Sequence, residues 1–223
     1  MQTFATPAPI AAVVDIPAGR VLFIAADRAD TTVQVLPADT TRSRDVKAAE
    51  QTTVAYADGV LRIEAAPAKN QYFGPSGAVE VTVQLPAGSH VEATSSCAEF
   101  RGVGRLGDVA LEGAQGPVKL DETAGARLSV LAGDVMVGRL GGPARISTQQ
   151  GDIHITEAVR GTVELRTGSG DIAVGAAPGV SASLDAGTGY GRIHNALQNT
   201  DGAAAGLAIH ATTGHGDITA RSI

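Results

Sequence analysis

From about residue 100 onward, apolar and polar residues alternate in short runs. In Val163-Glu164-Leu165-Arg166 and Ala144-Arg145-Ile146-Ser147 the aliphatic side chains fall on one side and the polar ones on the other, the period of a half-buried strand. Helical spacing is absent from this region. Runs begin at Val109, Val118, Ala126, Val135, Ala144, Ile153, Val163 and Ile172, 8 to 10 residues apart. That leaves room for a strand of about five residues and a tight bend. Two such units predict a coil of roughly 18 to 21 residues per turn. Its inward positions stack as two ladders, Leu128, Ile146, Leu165, Leu184 and Ile209 on one wall and Val135, Ile153, Ile172, Ile193 and Ile218 on the facing one. From each inward residue to the next bend the count is six for Leu128–Asp134, Ile146–Asp152 and Leu165–Asp171. It is eight for Leu184–Arg192 and Ile209–Asp217, so the last two bends are expected to be longer by two residues.

The bends repeat a phrase of glycine, aspartate and a branched aliphatic residue. It occurs at Gly107-Asp108-Val109, Gly133-Asp134-Val135, Gly151-Asp152-Ile153, Gly170-Asp171-Ile172 and Gly216-Asp217-Ile218, with Gly191-Arg192-Ile193 as a variant. Glycine reaches positive φ without a Cβ penalty, and aspartate accepts hydrogen bonds from nearby backbone amides. A unit that cannot bury its apolar face alone, repeated at a fixed period, defines a solenoid. The expected fold is therefore all-β, a single-stranded β-solenoid or parallel β-helix, taken as right-handed. One continuous domain is expected, regular over residues 79–223 and with residues 1–78 as a less regular β-rich portion or cap.

Within that first portion Val21–Ile24 and Thr32–Leu36 read as strands, and Thr53–Tyr56 and Val60–Glu64 flank Asp58-Gly59, a hairpin turn signal. Ser43–Glu50 predicts one or two helical turns capped by Ser43. Asn70–Gly77 reads as a loop, and Val79–Leu85 as a strand that opens the regular coils.

Composition narrows the function classes. With 28 Gly, no Trp, three Tyr and four Phe, the core is a narrow aliphatic one. A net charge of −6 with basic residues scattered singly lacks the basic stripe of a nucleic-acid groove. The single cysteine, Cys97, permits no internal disulfide and is expected to be a small buried residue. Met1–Pro7 has no basic start, and Ile10–Ile16 is short and contains Asp15. The sequence thus reads as having no signal peptide or membrane span, and a cytoplasmic location is expected, or an envelope-associated one if a leader precedes it.

Val79–Ile223, with Leu85-Pro86-Ala87-Gly88 leading in and the recurring Thr-Gly-x-Gly-Asp-Ile phrase, resembles a bacterial β-strand-repeat family of unknown function labelled "putative adhesin". The opening Pro17-Ala18-Gly19-Arg20-Val21, followed by Ala25–Arg28 and Thr31–Val35, is similar to that family's N-terminal part. The resemblance implies a β-solenoid and an interaction role, and some relatives are membrane-anchored envelope proteins.

Calcium rolls use Gly-Gly-x-Gly-x-Asp nonapeptides, whereas here aspartate follows its glycine directly and only alternate bends carry it, so backbone capping is the better reading. His154 and His194 read as outward on one wall, two turns apart, and His90, His210 and His215 form no metal-ligand spacing. Gly187-Thr188-Gly189-Tyr190-Gly191 imitates a phosphate loop, but no helix follows it. No cofactor, metal or catalytic residue is assigned. The expected function is a non-enzymatic interaction or scaffold protein, binding a protein partner or itself through its faces or an uncapped C-terminal turn marked by Ile218 and Ile223. The alternative is a carbohydrate-binding or carbohydrate-cleaving β-helix with Glu164, Arg166, Arg145 and Asp185 in its groove.

Overall fold

The computed structural model describes residues 1–66 and 77–223. The loop expected over Asn70–Gly77 falls, apart from Gly77, outside the described residues. In chain order the elements are β1 (Gln2–Ala5), β2 (Ala11–Ala26), β3 (Asp30–Pro37), α1 (Ser43–Gln51), β4 (Thr53–Ala57), β5 (Val60–Glu64), β6 (Val79–Pro86), β7 (His90–Gln115) and β8 (Val118–Ala132). They continue as β9 (Val135–Leu140), β10 (Ala144–Gln150), β11 (Ile153–Ala158), β12 (Gly161–Ser169), β13 (Ile172–Ala176), β14 (Ala182–Tyr190), β15 (Ile193–Ala196), β16 (Leu207–His215) and β17 (Ile218–Ser222).

The chain coils as the alternation requires, with parallel strands stacked into two walls around one aliphatic core. On the first wall Ala126, Ala144, Val163, Ile209 and Leu184 lie in register across β8, β10, β12, β16 and β14. On the second, Val118, Val135, Ile153, Ile172, Ile218 and Ile193 do so across β8, β9, β11, β13, β17 and β15. Ile146, Ile153, Ile155 and Leu165 are fully buried, each contributing about 1.5–3 kcal/mol of apolar burial.

The order of the last two coils differs from the order of the sequence. β16 pairs with both β12 and β14, and β17 with both β13 and β15. The C-terminal coil is therefore inserted between its two predecessors, and Ile193 stacks on Ile218 instead of Ile172. The reason lies in the inward side chains. The inserted coil offers Leu207, Ile209, Ala211, Ile218 and Ala220, all buried, while the displaced one offers Ala182, Leu184, Ala186, Ile193 and Asn195. Burying the Asn195 amide without partners costs free energy, so the poorer set takes the outside position.

The same register corrects the bend lengths. Ile209 and Leu184 stack over Val163, not Leu165, and Val163 is eight residues from Asp171, as Ile209 is from Asp217. The bends are equal in length. A two-residue slip keeps every side chain on its face, so alternation alone does not distinguish Val163 from Leu165.

Short antiparallel strands close the other end of the stack. β3 runs antiparallel to β6, β1 to β3 and β4 to β5, with Asp58 and Gly59 both at positive φ in the β4–β5 turn. Helix α1 packs on β3 and β6. Its first residue is Ser43, and Arg42 takes the cap position without a side-chain hydrogen bond, so Ser43 is not the cap. The buried Asp45 carboxylate accepts a hydrogen bond from the Ala78 N–H (3.0 Å), tying the helix to the start of β6. Cys97 is exposed rather than buried. It follows the exposed Ser96 where β7 rounds a corner and the alternation breaks.

Candidate interaction surface

One corner, where the first wall passes into the second, carries the repeated phrase as three columns. Gly133, Gly151, Gly170, Gly216 and Gly191 all have positive φ, between 136° and 155°. A Cβ on Gly170 would lie 2.1 Å from the Gly151 carbonyl oxygen, and one on Gly216 would lie 2.1 Å from that of Gly170. Glycine is therefore dictated twice, by conformation and by space. In the next column the Asp152 N–H donates to Asp134 Oδ1 (2.9 Å), the Asp171 N–H to Asp152 Oδ1 (2.7 Å) and the Asp217 N–H to Asp171 Oδ1 (2.7 Å). Each carboxylate thus holds the amide of the coil stacked on it. Threonines form the third column, with the Thr167, Thr213 and Thr188 hydroxyls donating to the carbonyls of Gly151, Gly170 and Gly216 at 2.9–3.0 Å.

Gly107 and Asp108 do not belong to this corner. Asp108 pairs with Gly125 at the start of the first wall, and its N–H donates to His90 Nδ1 (3.0 Å). The phrase there is a local coincidence at the opposite corner. Among the described residues no group of three or more His, Cys, Asp or Glu gathers in a way that would hold a metal ion.

Arg192 ends the aspartate column. Its N–H donates to Asp217 Oδ1 (2.8 Å) and its guanidinium reaches Asp217 Oδ2 (3.2 Å). A fifth aspartate would extend a line of like charges, whereas the arginine closes it with the opposite sign. The Arg192 amide, and then its guanidinium, hold the Asp217 carboxyl below its usual range. A depressed folded-state value stabilises above the unfolded-state value, about 3.9, and the contribution is lost as pH falls through the folded one. Acidification below about pH 4 is therefore expected to loosen the outermost coil first. In an NMR titration Arg192 and Ile193 amide signals should change before that of Ile153, and simultaneous loss of all three would refute this.

Ile218 and Ile223 do not form the end of the stack. Ile218 is 1% exposed between Ile172 and Ile193, and the Ile223 N–H donates to the Ala176 carbonyl (3.1 Å). The open end is built by β14 and β15, beyond which no strand pairs among the described residues. Tyr190 is 74% exposed and stacks on His215, with ring centroids 4.9 Å apart. Ile193 is 46% exposed at the end of the aliphatic ladder. Sequence reasoning placed the edge one coil away because it assumed that chain order is stacking order. Asn195 at an inward position and Arg192 in the aspartate column were the signals available.

The residues set aside for a carbohydrate groove do come together. On the outer face of the first wall Arg145, Glu164, His210 and Asp185 are successive register partners. With Arg166 they line a shallow groove of about 460 Å3. Arg145 donates to Glu164 Oε2 (2.6 and 2.9 Å), and that bond holds the Glu164 carboxyl below its usual range. His210 Nδ1 lies 3.4 Å from Asp185 Oδ2. His154 and His194 are three coils apart, separated by Ala173 and Thr219, because of the inserted coil.

A family model described as Toastrack DUF4097 matches residues 16–222. No curated protein matches the sequence. Among solved structures, one described as a putative adhesin from Bacteroides fragilis superposes with a TM-score of 0.59 at 15% identity, covering 98% of this chain and 95% of its own. A putative adhesin from Parabacteroides distasonis gives 0.43 at 15% identity, with 100% and 95% covered. A putative cell adhesion protein from Clostridium sporogenes gives 0.40 at 9%, with 100% and 98% covered. Among the described residues no helix is long and apolar enough to cross a membrane.

Proposed function

The chain belongs to the Toastrack family, and from that premise we propose that it is a non-enzymatic interaction module of the adhesin type, working through the open end of its coil. The observation that carries this reading is the asymmetry of the two ends. At one, the parallel coil gives way to the short antiparallel strands β1, β3 and β4, with α1 packed on β3 and β6. At the other, β14 and β15 have no further strand partner among the described residues, although the Ala182 N–H donates to the Gln198 carbonyl (3.0 Å), and Tyr190 and Ile193 stand exposed beside them. An unpaired strand edge is a template for another chain, and natural edges are commonly blunted by lysine, proline or a bulge. Residues 182–196 contain neither lysine nor proline. The solved structure at TM-score 0.59 carries an adhesin description, which accords with binding rather than chemistry.

The outer-wall groove supports a carbohydrate-cleaving reading less well. A general acid for glycoside hydrolysis requires a raised carboxyl pKa, and Arg145 pushes Glu164 the other way. Among the described residues no Phe, Tyr or Trp lines the groove to stack on a sugar ring.

A photo-crosslinking residue placed at position 190, and separately at Met136 on the second wall, tests the proposal in cells that naturally produce the chain. Protein adducts are expected from position 190 and not from position 136. Equal labelling at both, or none at 190, would remove the open end as the interaction surface.

A further inference from the structure

We infer that the occupant of the open end is a second copy of this chain, joined end to end about a two-fold axis that crosses both walls. This rests on the reading of β14 and β15 as the interaction surface and commits it to one partner. The two walls end together and lie about 10 Å apart, as packed sheets do. A single extended peptide satisfies one wall only. The same end of a second molecule presents two strands at the same separation and a matching aliphatic cross-section, so Leu184, Ala186 and Ile193 meet their own equivalents.

Charge selects the geometry. The outermost coil has two corners of opposite sign. At one, where β14 passes into β15, stands Arg192, which reaches Asp217 Oδ2 below it (3.2 Å) yet is 89% exposed along its side chain and faces outward as the last charge of the column. At the other, where β14 begins, the connection after β15 folds back, and the Thr200 and Asp201 N–H groups both donate to Ser181 Oγ (3.1 Å). That connection places an exposed Asp201 beside the edge. Two ends brought together head to head can be related by a two-fold axis along the strands or by one perpendicular to the walls. The first sets Arg192 against Arg192 of the second copy. The second reverses the strand direction on each wall, pairs β14 with β14 and β15 with β15 in antiparallel fashion, and sets Arg192 near Asp201 of the second copy, twice. Such contact is isologous and closes on itself. Because the contact uses the same end of both molecules it closes at two, and the far end, whose edge strands β1 and β4 run antiparallel to their neighbours, does not match it.

The test is sedimentation equilibrium of the full chain over a concentration series, with exposed-residue charge reversals that leave the core untouched. Wild type is expected to show a monomer–dimer equilibrium. Arg192→Asp and Asp201→Arg should each raise the dimer Kd by about tenfold, the first by more because it also sets a second carboxylate beside Asp217, and the double variant should recover the part due to the pair between copies, which is re-formed with its signs exchanged. Arg127→Asp, on the outer face of the first wall, should change nothing. A chain that stays monomeric at every concentration overturns the inference, as does a dimer indifferent to both Arg192→Asp and Asp201→Arg. If the chain is monomeric yet position 190 still crosslinks to a different protein, the second copy is refuted while the open end stands as an interaction surface.

Discussion

Replacing Gly216 by alanine is expected to destabilise the fold by about 3 kcal/mol or more, among the largest effects available from adding one methyl group. Gly216 has φ of 143°, where an L-residue is strained, and the added Cβ would lie 2.1 Å from the Gly170 carbonyl oxygen and 2.9 Å from Asp171 Oδ1. Relief requires the coils to separate at the corner. That would lengthen the bond from the Asp217 N–H to Asp171 Oδ1 and the bond from the Thr213 hydroxyl to the Gly170 carbonyl. Gly187 makes a sharp control, since it lies in the outermost coil with nothing within 4 Å of its Cβ position and no positive φ. Urea unfolding of Gly216→Ala and Gly187→Ala should give a large shift in midpoint for the first and little for the second. Equal shifts would mean that corner geometry does not govern stability.

The second large effect concerns Ile218→Lys. In a molecule whose last coil in sequence was also its last in space, this substitution would sit on a surface and change only association. Here Ile218 is stacked between Ile172 and Ile193 with almost no exposure. An ammonium at that position has no partner, and leaving a charge uncompensated in a core costs about 3–5 kcal/mol. Ile218→Lys should therefore lower the unfolding midpoint sharply, whereas Ile193→Lys, one coil outward and half exposed, should be tolerated with a loss of about 1 kcal/mol. Similar midpoints for the two variants would contradict the inserted order.

These two residues also show how much of the fold was legible. The spacing of Val135, Ile153 and Ile172 and the glycines before them gave the architecture, because a period-two pattern with a glycine at each corner has few other solutions. Stacking order was hidden, since Ile193 and Ile218 belong to coils with the same spacing and the same Thr-Gly-x-Gly corner, and either one fits upon Ile172 locally. What separates them is collective, the sum of five inward side chains on each coil, with Asn195 as the clearest difference. The Gly107-Asp108 pair misled for the converse reason, as identical letters occupy opposite corners with unrelated backbone conformations. The groove of Arg145, Glu164 and Asp185 was legible because alternation puts all three on the outer face and the coil period aligns them. The open end was displaced by one coil for the same reason that the stacking order was hidden.

The inserted coil has a consequence for synthesis. A nascent chain presents residues 182–196 to β12 and β13 well before residues 207–223 have left the ribosome, and Val163 and Ile172 are then vacant seats in the correct register. The early occupant must lift away when the final segment arrives, or wait nearby until it does. Residues 207–223 thus act as a keystone driven into a gap from the side, and the arch is not complete until they have emerged.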